Sequence, residues 1–198
     1  MKDSKSLIRL ASVADAPRLL EIYAPYVTDT VITFEYDVPS LSEFEERIQS
    51  ISAEYPYLVY VENGVIGGYA YAHRMLSRAA YQWIAELSVY LAPEFQKKGI
   101  GTLLYQKLME LLELQNVCGF YALVTSPNPP SDRLHEKLGF SLAGMYHRSG
   151  FKHGKWHDVS VYERLLPVKE GEPDAFVPFW QLSSDAVKSC LYINKERE

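Results

Sequence analysis

The stretch Gly99 to Gln115 constrains the fold more than any other part of the chain. Ile100, Leu103, Leu104, Leu108, Leu111 and Leu112 recur at helical spacing, so one wide face of this helix is apolar. A face of that width must be buried against another layer. The runs on either side, Tyr81 to Leu91 before it and Gly119 to Thr125 after it, read as strands that supply one. Leu7 to Ala11 reads as a first strand. Asp15 to Val27 reads as a helix with Leu19, Ile22 and Tyr26 on one face. Ser40 or Ser42 is placed to cap a second helix through Tyr55, whose stripe is Phe44, Ile48 and Ile51. Tyr57 to Val61 and Val65 to His73 flank Asn63-Gly64, the pair that favours a two-residue hairpin turn. Ser131 to Leu138 reads as a short helix ended by Gly139, followed by strands near Phe140 to Tyr146 and His157 to Leu165. The order predicts an α/β chain, mixed α+β, with helices on the faces of a mixed sheet.

After Leu166 the character changes. Pro167, Gly171, Pro173 and Pro178 interrupt regular structure, and Ser184 could cap a last helix carrying Ala186, Val187, Cys190 and Leu191 on one side. The chain is therefore expected to divide into a domain over 1–166 and a tail over 167–198, the tail either docked or disordered. No internal repeat appears. With 198 residues, 47% of them apolar and 23% charged, the chain has material for a sizeable core. Twenty basic residues stand against 25 acidic ones, and no Lys or Arg run suggests nucleic acid or a membrane surface. No apolar run approaches the roughly 20 residues of a membrane span, and Met1 to Leu10 lacks a signal-peptide core. Cys118 and Cys190 show neither disulfide nor metal-site spacing. A soluble, cytoplasmic protein without a metal is expected.

The turn Gln96-Lys97-Lys98-Gly99-Ile100-Gly101 opens the strongest helix. Its glycines let the backbone approach a ligand, the free amides of the helix start suit phosphate oxygens, and Lys97 and Lys98 add charge. Leu104 stands where a dinucleotide fingerprint needs its third glycine. Leu104-Tyr105-Gln106 excludes a P-loop. Alone, such a turn more often serves only a tight bend than a ligand.

Taken with Asn128-x-x-Ser131-x-x-x-His135-Glu136-x-x-Gly139-Phe140, the turn resembles the acetyl-CoA signature of GNAT-type N-acetyltransferases. Further stretches resemble the phosphinothricin (methionine sulfoximine/sulfone) acetyltransferase subfamily. They are Thr33-Phe34-Glu35, Tyr55-Pro56-Tyr57-Leu58-Val59, Gly68-Tyr69-Ala70-Tyr71-Ala72, Arg78-x-Ala80-Tyr81-x-Trp83, Glu86-x-Ser88-Val89-Tyr90 and Lys152-x-Gly154-x-Trp156-His157-Asp158. The resemblance spans roughly residues 7–166 and leaves the tail outside. It implies a GNAT-type fold, with a central twisted mixed sheet of six to seven strands and about four helices. It also implies acetyl-CoA as co-substrate, a small amine acceptor and a homodimer.

On this resemblance, acetyl-CoA would lie between splayed strands, its pantetheine arm on Leu87, Ser88 and Val89 and its pyrophosphate on Gln96 to Gly101, with Asn128 and Ser131 on the far side. Asn128 equally suits a helix-starting turn before Pro129-Pro130. An amine attacks a thioester only when neutral, so a base is needed, and a carboxylate in a dry cleft has its pKa raised toward the working range. Glu86, the one charged side chain in its strand, is the candidate base; a surface pair with Arg74 or Arg78 is the bland alternative. His135 stands where many GNAT enzymes carry a tyrosine, and is the candidate acid for the departing thiolate, against a purely structural histidine. The acceptor is expected to meet Phe34, Glu35, Arg78, Tyr81, Trp83 and Trp156, although core packing competes for Tyr81, Trp83 and Trp156. Competing functions are acetylation of protein or peptide amines and a non-catalytic acyl-CoA sensor.

Overall fold

The computed structural model describes residues 6–168 and 170–192. Residues 1–5 and 193–198, the outer ends of the expected domain and tail, lie outside the described residues, as does Lys169. The sheet has seven strands: β1 (Ser6–Leu10), β2 (Tyr57–Glu62), β3 (Val65–Arg74), β4 (Ile84–Leu91), β5 (Gly119–Ser126), β6 (Ser141–Lys152) and β7 (Lys155–Leu165). The helices are α1 (Ala16–Thr28), α2 (Leu41–Glu54), α3 (Ile100–Leu114), α4 (Pro129–Lys137) and α5 (Ser184–Leu191). Strand order is β1-β2-β3-β4-β5-β7-β6. Every neighbouring pair is antiparallel except β4 and β5.

Local chemistry explains the element boundaries. Ser40 caps α2: its hydroxyl accepts from the Glu43 amide at 3.3 Å, while the Glu43 carboxylate accepts the Ser40 amide at 2.7 Å. Asn63 (φ 52°) and Gly64 (φ 83°) make the expected hairpin turn, and His153 (φ 48°) with Gly154 (φ 76°) makes another between β6 and β7. The expected strand from Tyr81 is shorter. Ladder pairing with β3 ends at Arg74–Ala85, and residues Ala79–Tyr81 turn as a 3-10 helix instead. The strand expected to end at Tyr146 runs on to Lys152, with register shifts between Leu142 and Gly144 and between Tyr146 and Gly150, the second spanning Arg148 (φ 48°).

Helix α3 buries Leu104, Leu108, Leu111 and Leu112 completely, so the residues that predicted the helix form the centre of the core. The tail packs as well. Gln115, itself inaccessible, donates to Glu54 O at 2.7 Å and to Val177 O at 2.9 Å. Phe176 packs tilted against Tyr55, and Val187 of α5 is buried. Ser183, one residue before the expected Ser184, caps that helix. No helix among the described residues is long and apolar enough to cross a membrane.

Candidate active site

Pairing between β4 and β5 lasts for three residue pairs and ends at Glu86–Tyr121. Beyond it the strands diverge, and a cleft opens whose walls include Leu87, Ser88, Val89, Tyr105, Asn128, Ser131 and His135. Residues expected to touch the cofactor's arm therefore come together. Asn128 caps α4, its side-chain oxygen accepting from the Ser131 amide at 3.3 Å, so its turn-starting role is real while it also lines the cleft.

The phosphate turn has a geometry of its own. Lys97 (φ 59°) and Gly99 (φ 79°) are both left-handed, and Gly99 begins α3 with no side-chain cap. The amides of the first turn of α3, from Ile100 and Gly101 onward, thus have no side-chain cap, the arrangement of a helix start open to an anion. The side chain of Gln96 faces elsewhere: it donates to the Tyr26 hydroxyl at 3.1 Å, and that hydroxyl donates to Leu91 O at 2.6 Å. Lys98 lies over the Phe95 ring at 5.3 Å.

Glu86 stands where β4 leaves β5. Its face of the sheet also carries Ser88 and Tyr90, opposite Tyr71 and Tyr69 in the ladder with β3. His73 is its cross-strand partner, with Nε2 4.0 Å from the carboxylate. Burial raises the Glu86 pKa, and His73 opposes that shift. Arg74 pairs instead with Glu54 at 3.4 Å, which removes the surface-pair reading through that residue.

His135 is 2% exposed, stacked on Tyr162 and edge-on to Tyr105 and Phe140. Its Nδ1 lies 2.8 Å from Ser131 O, so that nitrogen holds the proton and donates it there. Nε2 is buried without a hydrogen-bond partner. Burial lowers the pKa, against the raising effects of Ser131 and Asp132. The ring is therefore a neutral imidazole with its free lone pair on Nε2.

Of the expected acceptor residues, Glu35 reaches the Glu86 side of the sheet. It accepts from Tyr23 at 3.0 Å and pairs with Arg47 at 2.6 Å. Phe34 wedges against Gly150, where a Cβ would collide with its ring, and lies near His157. Trp83 donates to Asp174 O in the tail at 2.8 Å, Trp156 is exposed against Phe151, and Arg78 and Tyr81 lie exposed before β4. The strand expected to run from Tyr81 begins instead at Ile84, after the 3-10 turn Ala79–Tyr81, and even a continuous strand would have turned Tyr81 and Trp83 to the face opposite Glu86. Sequence reasoning missed Tyr71, His73 and Arg47. Arg47 follows Phe44 by one helical turn and so borders the buried stripe of α2, a signal that was available.

Residues 8–161 match the family model described as an acetyltransferase (GNAT) domain. The chain belongs to the GNAT acetyltransferase family. Phosphinothricin N-acetyltransferase of Streptomyces viridochromogenes is 35% identical over 157 residues, 79% of this chain and 86% of that protein. The L-methionine sulfoximine/L-methionine sulfone acetyltransferase of Salmonella typhimurium is 33% identical over 174 residues, 85% of this chain and 98% of that one. The crystal structure of a GNAT superfamily phosphinothricin acetyltransferase from Sinorhizobium meliloti, in complex with AcCoA, superposes with a TM-score of 0.81. It shares 35% identity, covering 85% of this chain and 93% of that one. As a GNAT enzyme the chain is an acetyl-CoA-dependent N-acetyltransferase, and the seven-stranded sheet with five helices is the GNAT fold.

Proposed function

We propose that the chain acetylates the α-amine of a small amino-acid-like acceptor, of the phosphinothricin or methionine sulfoximine type, by direct attack in a ternary complex. The observation that carries this reading is Glu86: a largely buried carboxylate of raised pKa, on a tyrosine-rich face, at the point where β4 and β5 part. The pantetheine arm would extend β4 pairing along Leu87, Ser88 and Val89. The pyrophosphate would sit on the turn from Gln96 to Gly101, with Asn128 and Ser131 across the cleft. No metal is required by this chemistry.

Glu86 takes a proton from the acceptor's ammonium, directly or through water. The neutral nitrogen then bonds to the thioester carbon, and a backbone amide near Leu87 or Ser88 donates to the oxyanion. Collapse breaks the carbon–sulfur bond and releases the second nitrogen proton to the sulfur. His135 is the proposed carrier: Nε2 accepts that proton and passes it on. The anionic end of the acceptor would face Arg47, whose partner Glu35 is its resting counter-ion.

A homodimer is proposed on separate grounds. Edge strand β6 and its hairpin leave Leu142, Met145, Tyr146, Phe151 and Trp156 exposed, a row that a second copy would cover. Light scattering on the wild type and on Tyr146→Glu/Trp156→Glu tests it; a monomeric wild type refutes it.

The activity is tested by CoA release from acetyl-CoA with phosphinothricin, methionine sulfoximine, methionine sulfone, free amino acids and a lysine peptide, for wild type and Glu86→Gln. Turnover of an amino-acid analogue that falls tenfold or more in the variant is expected. Turnover of the peptide alone would favour a protein acetyltransferase, and tight CoA binding without turnover a sensor.

A further inference from the structure

Two stretches far apart in sequence meet at one end of the sheet. The segment after α1, residues 29–40, borders the cleft and the Glu86 face: Ile32 lines the cleft, and Glu35 holds Tyr23 and Arg47. The β6–β7 hairpin grips this segment. Lys152 is 3% exposed, and its ammonium donates to Val27 O at 2.7 Å and to Thr33 O at 2.8 Å. Tyr36 donates to Phe151 O, His153 contacts Thr30 O at 3.3 Å, and the Phe34 ring fills the notch left by Gly150. The lysine's own backbone is held in turn, because His157 Nε2 donates to Lys152 O at 3.0 Å.

A buried ammonium without a hydrogen-bonded carboxylate is costly to keep, so its place calls for a reason. Two carbonyls from different segments point at one buried spot, and both are acceptors. A group with several donor protons satisfies both at once, and an ammonium has three and no acceptor of its own to leave unpaired. A methionine of similar length would leave both carbonyls without that donor. The grip acts on residues 33–35, directly between the cleft and Arg47, and leaves the phosphate turn untouched.

We infer that Lys152 is a positioning residue for acceptor binding: it fixes the 29–40 segment over the acceptor side of the site while leaving the acetyl-CoA side alone. The inference rests on the proposed placement of the acceptor beside Glu86 and Arg47.

The test compares wild type, Lys152→Met and Tyr36→Phe. The second variant removes a surface-side hydrogen bond of the same clasp and is available if the first fails to fold. Hydrogen exchange is measured across the whole chain, and KM is measured separately for acetyl-CoA and for methionine sulfoximine. Faster exchange confined to residues 27–40 is expected in both variants. Lys152→Met should raise acceptor KM tenfold or more and Tyr36→Phe a fewfold, with acetyl-CoA KM within twofold of wild type. Unchanged exchange overturns the clasp. Faster exchange with unchanged acceptor KM, or equal rises in both KM values, overturns the positioning role. If the wild type turns over no amino-acid analogue, the functional reading fails, while exchange still judges the clasp.

Discussion

At Glu86 the proposed catalytic role and stability pull in opposite directions. Its folded pKa is raised by burial, so the folded protein binds this proton more tightly than the unfolded chain does. Stability is then lost as pH rises from the ordinary carboxylate value of about 4.3 through the folded value. Glu86→Gln should therefore melt higher than wild type at neutral pH, with the two curves converging as pH falls below about 4. The same variant should lose roughly 10²-fold or more in kcat/KM, the scale of a general base. A variant that is both slower and less stable at neutral pH would contradict this account. His135 has the reverse sign. Its pKa is lowered by burial, so its contribution is lost as pH falls through the ordinary histidine value of about 6.5. His135→Phe should flatten the fall of Tm between neutral pH and pH 5. If His135 carries the proton to sulfur, kcat in that variant should drop tenfold or more; retention of a third of wild-type turnover would leave it a packing residue.

Among the elements, the start of α3 is the proposed seat of the acetyl-CoA pyrophosphate. Gly99 adopts φ 79°, where a side chain costs roughly 1–2 kcal/mol. Gly99→Ala should raise KM for acetyl-CoA about tenfold through displaced amides, while acceptor KM stays near wild type; the two constants measured separately decide it. This turn and α3 were legible in the sequence because the signals are local: a glycine pair, then leucines at one period. The Asn63-Gly64 hairpin was legible for the same reason. The acceptor side was not. Tyr71 and His73 come to the Glu86 face through sheet register, and Arg47 reaches Glu35 through the packing of α2, neither of which leaves a contiguous pattern. Trp83 was expected in the strand because the apolar run continues through it, whereas β4 begins at Ile84 and its ladder with β3 ends at Arg74–Ala85.

For the whole molecule, the tail behaves as part of the core. Ending the chain at Leu166 would remove Val187, the Phe176–Tyr55 contact and the Val177 partner of buried Gln115. Loss of about 3 kcal/mol is expected from the apolar area and the orphaned amide together. Chemical denaturation of the truncated chain checks it, and an unchanged midpoint would show the tail to be dispensable. The three-pair seam between β4 and β5 has a different consequence. Strands β1 to β4 form an antiparallel meander, and β5, β7 and β6 form a second antiparallel group, so little of the sheet's ladder crosses from one half to the other. What crosses instead is the packing of α3 and the tail, which returns from the second half to lie on α2 and α3 of the first. A chain arranged this way is severable. Fragments 1–116 and 117–198, produced together, should find each other and restore activity, whereas a second fragment stopped at Leu166 should not.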